Sequence, residues 1–122
     1  MTDVGMLIVD DEEDIRELIR MAIDMANEGL FVCGEAGDGA EALERVAEME
    51  PHVVVLDERM PGLSGLETAM QLLADHPDQR IVLCSAYLDS DLRRRADDIG
   101  ITACLPKRDI SRIPEVIRML TA

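Results

Sequence analysis

The sequence predicts a single doubly wound α/β domain, a (βα)5 chain whose five-stranded parallel sheet is covered on both faces. Apolar runs of strand length alternate with amphipathic segments of helical period, and the alternation repeats five times. The runs are apolar throughout rather than at every second residue, as expected of strands buried on both faces of a parallel sheet. Most of them also end abruptly in a charged or hydroxyl residue. Ligands of open α/β sheets sit beyond the carboxyl ends of the strands, so those endings are where chemistry is expected.

The first strand is Gly5-Met6-Leu7-Ile8-Val9, which ends in Asp10-Asp11. Ile15, Leu18, Ile19, Ala22, Ile23 and Ala26 then recur at helical spacing, with Glu12, Glu13 and Asp14 at the end of the macrodipole that favours anions. Leu30-Phe31-Val32-Cys33 is the second strand. Asp38-Gly39-Ala40-Glu41 resembles a capping box, and Leu43, Val46 and Ala47 follow on one helical face. Val53-Val54-Val55-Leu56 is the third strand. Its three β-branched residues are stiff at χ1, and the run stops at Asp57 before Pro61-Gly62 turns the chain away.

Ser64-Gly65-Leu66-Glu67 is a second capping-box pattern, opening a helix through Met70, Leu72 and Leu73 that His76-Pro77 stops. Ile81-Val82-Leu83-Cys84 is the fourth strand and ends in Ser85. Leu88, Leu92, Ala96 and Ile99 mark a helix closed by Gly100. Ile101-Thr102-Ala103-Cys104-Leu105 is the fifth strand, ending near Lys107. Ile113, Val116, Ile117 and Leu120 define the last helix, with Ser111 as its N-cap and Pro114 in its first turn.

At 122 residues this is one domain, spanning 1–122, with 48% apolar and 31% charged residues. Phe31 and Tyr87 are the only aromatics, so the core is built from Leu, Ile, Val, Ala and eight Met residues. A net charge of −14 argues against nucleic-acid or anionic-membrane binding by this segment. It suits a cation site, or simply solubility. No run approaches the ~20 apolar residues of a membrane span, and the N-terminus lacks the basic region of a signal peptide. Cys33, Cys84 and Cys104 lie singly in apolar stretches, which reads as buried thiols in a reducing, cytoplasmic setting.

Taken together, the strand ends supply Asp10, Asp11, Asp57, Ser85 and Lys107 to one edge of the sheet. Three gathered carboxylates repel one another by roughly 1 kcal/mol per pair in water-like surroundings. A cation relieves this, and two candidates exist: Lys107 or a bound divalent ion. Carboxylates with carbonyls and waters are the donor set of Mg2+. Nothing favours zinc, since His52 and His76 lie away from the cluster in structural or surface positions. A carboxylate beside a cation, an ammonium and a hydroxyl is also a nucleophile with its own anion site, suited to forming an acyl phosphate.

These residues strongly resemble the receiver domain of bacterial two-component response regulators, CheY-like or flavodoxin-like in fold. The matching pieces are Asp10-Asp11-Glu12 after an apolar run, Leu56-Asp57-x-x-Met60-Pro61-Gly62-x-x-Gly65, Ser85-Ala86 and Lys107. Each is weak alone, whereas their order and spacing are highly specific. The resemblance implies phosphorelay signalling in which Asp57 accepts phosphate from a sensor histidine kinase or phosphotransfer protein. It implies Mg2+ held by Asp10, Asp11, Asp57 and the Arg59 carbonyl, with Ser85 and Lys107 engaging the phosphoryl oxygens. It further implies a switch acting on a downstream output domain or protein, and a chain that is no metabolic enzyme, catalysing only its own phosphorylation and hydrolysis.

The chain departs from the family pattern at two places. Cys104 stands where the switching aromatic usually lies, three residues before the lysine, with Tyr87 the one nearby ring. Pro106-Lys107-Arg108 replaces the frequent Lys-Pro. Arg59 and Tyr87 occupy positions that in the family tune phosphate lifetime, and a bulky pair there predicts slow hydrolysis. Arg93-Arg94-Arg95 is either a solvated helix face or a partner surface.

Three other readings compete. A degenerate receiver would bind partners without phosphorylation. A small Mg2+-dependent phosphatase of the haloacid dehalogenase type would need Asp where Arg59 stands. A flavodoxin-like redox module would place a flavin phosphate against Asp-Asp-Glu-Glu, which repels it. The sequence leaves open the cognate kinase, any output module, and whether phosphorylation drives dimerisation.

Overall fold

The computed structural model describes residues 3–26 and 28–122. Five strands, β1 (Val4–Val9), β2 (Leu30–Ala36), β3 (Val53–Asp57), β4 (Arg80–Ser85) and β5 (Ala103–Pro106), form one parallel sheet in the order β2-β1-β3-β4-β5. The intervening helices are α1 (Glu13–Ala26), α2 (Gly39–Met49), α3 (Gly65–Asp75) and α4 (Ser90–Ile99), and α5 (Ile113–Thr121) closes the chain. The chain leaves β1 towards one edge and returns through β3 towards the other. The switch point therefore lies between the carboxyl ends of β1 and β3.

Because successive side chains alternate across a strand, each strand feeds two cores. Met6, Ile8, Val53, Val55, Val82 and Cys84 pack with Ile19 and Ile23 of α1 and Ile113 and Ile117 of α5. Leu7, Val9, Val54, Leu56, Ile81 and Leu83 pack with α2, α3 and α4 through Val46, Leu72, Leu92 and their neighbours. All of the β3 residues are buried, as a central strand with helices on both sides requires.

Helix starts follow their caps. Asp38 accepts from the Glu41 amide at 2.8 Å, and Glu41 reaches back to the Gly37 amide at 2.6 Å. Ser64 and Glu67 form the complete reciprocal capping box, at 3.1 and 2.9 Å. At the opposite end of the sheet His52 is structural, its Nδ1 accepting from the Gly5 amide at 2.9 Å.

Several sequence expectations are corrected. The fifth strand begins at Ala103, not Ile101: the turn after Gly100 donates the Ile101 amide to Ala96, leaving Ile101 a buried plug. Ser111 is no N-cap, since 3-10 turns over Lys107–Arg112 intervene and α5 opens behind Arg112 with no side-chain cap. Pro114 does lie in the first turn. The fourth helix starts after Leu88, where Asp89 accepts from the Leu92 amide at 2.8 Å. Leu18 and Met70, apolar members of the expected helical patterns, are 50% and 57% exposed. Of the three free thiols only Cys84 is fully buried. Cys33 is the extra residue of a β-bulge opposite Met6 and Leu7, its thiol donating to the Met6 carbonyl at 3.3 Å.

Candidate phosphoacceptor pocket

Asp10, one residue beyond β1, and Asp57, the last residue of β3, end neighbouring strands at the switch point. They are only 2% and 4% exposed, which for a pair of carboxylates demands a counter-charge. Lys107, directly after β5, supplies it: its ammonium lies 3.0 Å from Asp10 Oδ2 and 3.2 Å from Asp57 Oδ1. One cation thus bridges the ends of two strands from a third.

The electrostatics are asymmetric. Burial and then the Asp10 charge push the Asp57 carboxyl up to about 6, against the opposing pull of Lys107 and of the Arg59 backbone. Lys107 is itself raised: hydrogen bonds and charge from Asp10 and Asp57 outweigh its burial, so it stays an ammonium. Next to Asp57 in the β3–β4 register, Cys84 is pushed up to about 12, chiefly by burial.

Local backbone geometry holds the pocket. The Glu12 amide donates to Asp10 Oδ1 at 2.9 Å, which starts α1 and fixes the carboxylate. Arg16 donates to the Asp10 carbonyl at 2.6 Å and to Glu35 at 3.0 Å, and Arg20 also pairs with Glu35. Beyond Asp57, the Glu58 carbonyl accepts from the Gly65 amide at 2.9 Å and the Glu58 carboxylate from the Leu66 amide at 2.8 Å. α3 is thereby pulled so close that a Cβ on Gly65 would collide with the Asp57 carbonyl and lie 2.8 Å from Glu58 Cα.

The structure brings Asp10, Asp57 and Lys107 into direct contact. Asp11 is exposed at the rim, where oxygens of Asp10, Asp11 and Glu12 all lie within 4.8 Å of one another. Such all-carboxylate donors fit a hard divalent cation such as Mg2+ and not a soft one. Glu12, quoted in the family motif and at the helix terminus but not among the expected Mg2+ ligands, joins this group. Ser85 ends β4 buried at 1% exposure, and its hydroxyl accepts from the Tyr87 amide at 3.3 Å with no hydrogen bond to Asp57. The Arg59 guanidinium stacks 4.5 Å from the centre of the Tyr87 ring. Cys104 lies half-buried in β5, its thiol raised by burial. Arg16 and Glu35 were missed, because no spacing ties Arg16 to Asp10 and Glu35 lies beyond Leu30–Cys33, the strand expected from the sequence, near the end of the longer β2.

Fold and pocket together define a doubly wound receiver-type domain. The chain belongs to the response regulator receiver domain family of two-component signalling, whose family model matches residues 6–118. It is 33% identical over 121 residues to the response regulator GacA of Pseudomonas protegens, covering 98% of this chain and 56% of that protein. It is 38% identical over 104 residues to the transcriptional activator ExaE of Pseudomonas putida, covering 85% and 48%. The chain thus spans about half the length of these relatives. Among solved structures it matches a LuxR-family two-component response regulator from Aurantimonas sp. with a TM-score of 0.92 and 26% identity, covering 98% of this chain and 85% of that one. The response regulator domain of Thermotoga maritima CheB shares the fold, with a TM-score of 0.85 at 24% identity over 98% and 94% of the two chains. No helix among the described residues is long and apolar enough to cross a membrane.

Proposed function

We propose that this domain accepts a phosphoryl group on Asp57 from a histidine kinase or phosphotransfer protein and relays it as a change in partner binding. The observation that carries the reading is the Lys107 bridge, 3.0 Å from Asp10 and 3.2 Å from Asp57 in a buried pocket. With its carboxyl pushed up to about 6, Asp57 is ionised at neutral pH yet poorly solvated, which makes it a better nucleophile than an exposed carboxylate. An Asp57 oxygen attacks phosphorus, forming the acyl phosphate. The bond to the donor nitrogen breaks, and its electron pair stays on the imidazole, which takes a proton. Lys107 stands ready to pair with a phosphoryl oxygen.

Asp10, Asp11, Asp57 and the Arg59 carbonyl would hold Mg2+. Bound there, the ion would offset charge on the transferring group. Ser85, buried at the neighbouring strand end, would donate to a phosphoryl oxygen by giving up its contact with the Tyr87 amide, and so would carry that loop. The domain turns over no outside metabolite, works in the cytoplasm, and contacts neither nucleic acid nor membrane through this segment.

Intact mass after incubation with acetyl phosphate and Mg2+ tests the reading. One added phosphoryl group is expected, absent with Asp57→Asn and with EDTA. A folded wild-type chain that gains no mass would overturn it in favour of a phosphorylation-independent binding module.

A further inference from the structure

Every polar group of Asp10 has a fixed partner. Its amide donates to the Ala36 carbonyl at 3.1 Å, and its carbonyl accepts from Arg16 Nη1 at 2.6 Å. Its Oδ1 accepts from the Glu12 amide at 2.9 Å, and its Oδ2 lies 3.0 Å from the Lys107 ammonium. Asp11, the next residue, is exposed at the rim. Three of these four partners belong to the sheet edge or to the pocket itself. Arg16 comes from α1 and is the exception.

The Arg16 side chain is only 18% exposed, so it has given up most of its hydration to reach a backbone carbonyl. A cation beside an acidic pocket weakens the pull on a second cation, so charge alone gives Arg16 no reason to lie there. Its geometry does. While Nη1 holds the Asp10 carbonyl, Nε of the same planar group donates to Glu35 Oε1 at 3.0 Å. Arg20, four residues on along α1, pairs with the other Glu35 oxygen. Glu35 stands beside Ile8 in the β1–β2 register, two positions before Asp10. The guanidinium therefore ties α1, the end of β1 and the end of β2 together. A lysine has one nitrogen on a flexible stem and cannot span both acceptors.

We propose that Arg16, braced by Glu35, is a positioning residue that sets the affinity of the pocket for a divalent cation. The Asp10 carbonyl and the Asp11 amide share one rigid peptide plane, so a hand on the carbonyl also fixes where Asp11 leaves the strand. Arg16 thereby aims the Asp10 and Asp11 carboxylates without touching the ion or the phosphoryl group. The inference rests on the receiver reading for the presence of the ion, and on the structure alone for the hold on Asp10.

Two readouts test it in Arg16→Gln, Arg16→Lys and Glu35→Ala. The first needs no metal: NMR-detected hydrogen exchange at the Glu12 amide, which Asp10 Oδ1 holds, with the Glu67 amide of the Ser64 capping box as internal reference. Protection at Glu12 should fall about tenfold in both Arg16 variants and less in Glu35→Ala, with Glu67 unchanged. The second is Mn2+ titration without phosphodonor, free Mn2+ being read by electron paramagnetic resonance. Its dissociation constant should rise about tenfold, most in Arg16→Lys, which keeps the repelling charge and loses the fork. Unchanged protection at Glu12, or an equal fall at Glu67, would overturn the proposal. So would wild-type behaviour of Arg16→Lys, or tighter Mn2+ binding by Arg16→Gln, which is the result expected if only charge matters. A wild-type chain that binds no Mn2+ overturns the metal reading and with it the role in affinity, while the exchange data still decide whether Arg16 holds Asp10.

Discussion

The two ends of the functional edge of this sheet are built on opposite terms. At the switch point Asp10 and Asp57 are buried, and Lys107 lies within about 3 Å of each. Two strand steps away, on the face of α4 and β5, Arg93 and Arg108 are exposed and unpaired among the described residues, and the floor beneath them is a small thiol. In the buried end every charge depends on a neighbour, so one displacement is felt by all of them. The exposed arginines are solvated, so substitutions there are cheap for folding and informative only for recognition. Substitutions at the exposed arginines can therefore leave the buried carboxylate–lysine contacts unchanged.

The sharpest way to break this comparison is to crowd the buried end without touching a charge. Gly65→Ala would drive a methyl into the Asp57 carbonyl and Glu58 Cα, neither of which is a flexible side chain that could give way. Overpacking against backbone costs about 1–3 kcal/mol, and here it also strips the capping bonds that tie Glu58 to α3. Urea unfolding should show a loss of roughly 2–4 kcal/mol. Gly62→Ala is the control: nothing lies within 4 Å of its Cβ, and only its φ of 80° resists, for about 1 kcal/mol. Equal losses in the two variants would show that the pocket is looser than its geometry.

A smaller effect of opposite sign is expected from the charge on Asp57. Its folded-state value of about 6 lies above the ordinary 3.8, so the folded protein holds that proton more tightly than the unfolded chain does. The stabilisation from this group is fully present below about pH 4 and is lost as pH rises through 6. Above that it is a cost, on the order of 1–3 kcal/mol without a divalent cation. Asp57→Asn should therefore be more stable than wild type at pH 7.5 in EDTA, and the gap should close towards pH 4. A gap that ignores pH, or an Asn variant that is less stable at 7.5, would mean that Lys107 fully compensates the burial.

Much of this was legible in the sequence because strand ends are legible. Val53–Leu56 could only be a buried strand, and its break at Asp57 placed the carboxylate without knowledge of strand order. The capping box at Ser64 was equally plain. What could not be read depended on distances between segments remote in sequence. Arg16 supports Asp10 from across a helix turn, and Arg108 joins Arg93 only because β5 lies beside α4. The fifth strand was misplaced because Ile101 is apolar for a different reason, as the plug behind a helix end. The run Arg93-Arg94-Arg95 looked like one feature and proved to be two, since only Asp91 distinguishes its members.

The smallest expected effect lies at the rim between the two ends. Arg59 stacks on Tyr87 at 4.5 Å, and both are exposed, so the pair contributes little to folding. Its place in the chain, two residues beyond Asp57 and Ser85, assigns it a second role under the proposed phosphorylation of Asp57. If Asp57 is phosphorylated as proposed, the pair is expected to stand in the path of an attacking water, so that opening the path means separating the stack. A cation–π contact at an exposed site contributes about 0.5–1 kcal/mol, which as a barrier corresponds to a factor of roughly two to five in rate. Arg59→Ala with Tyr87→Ala should therefore shorten the acyl-phosphate lifetime by about that factor while leaving the yield of phosphorylation intact. Phosphate release followed by a colorimetric or fluorescent phosphate sensor reads it directly. An unchanged lifetime would place the barrier wholly inside the buried pocket, with Lys107 and the carboxylates, and leave the rim with recognition alone.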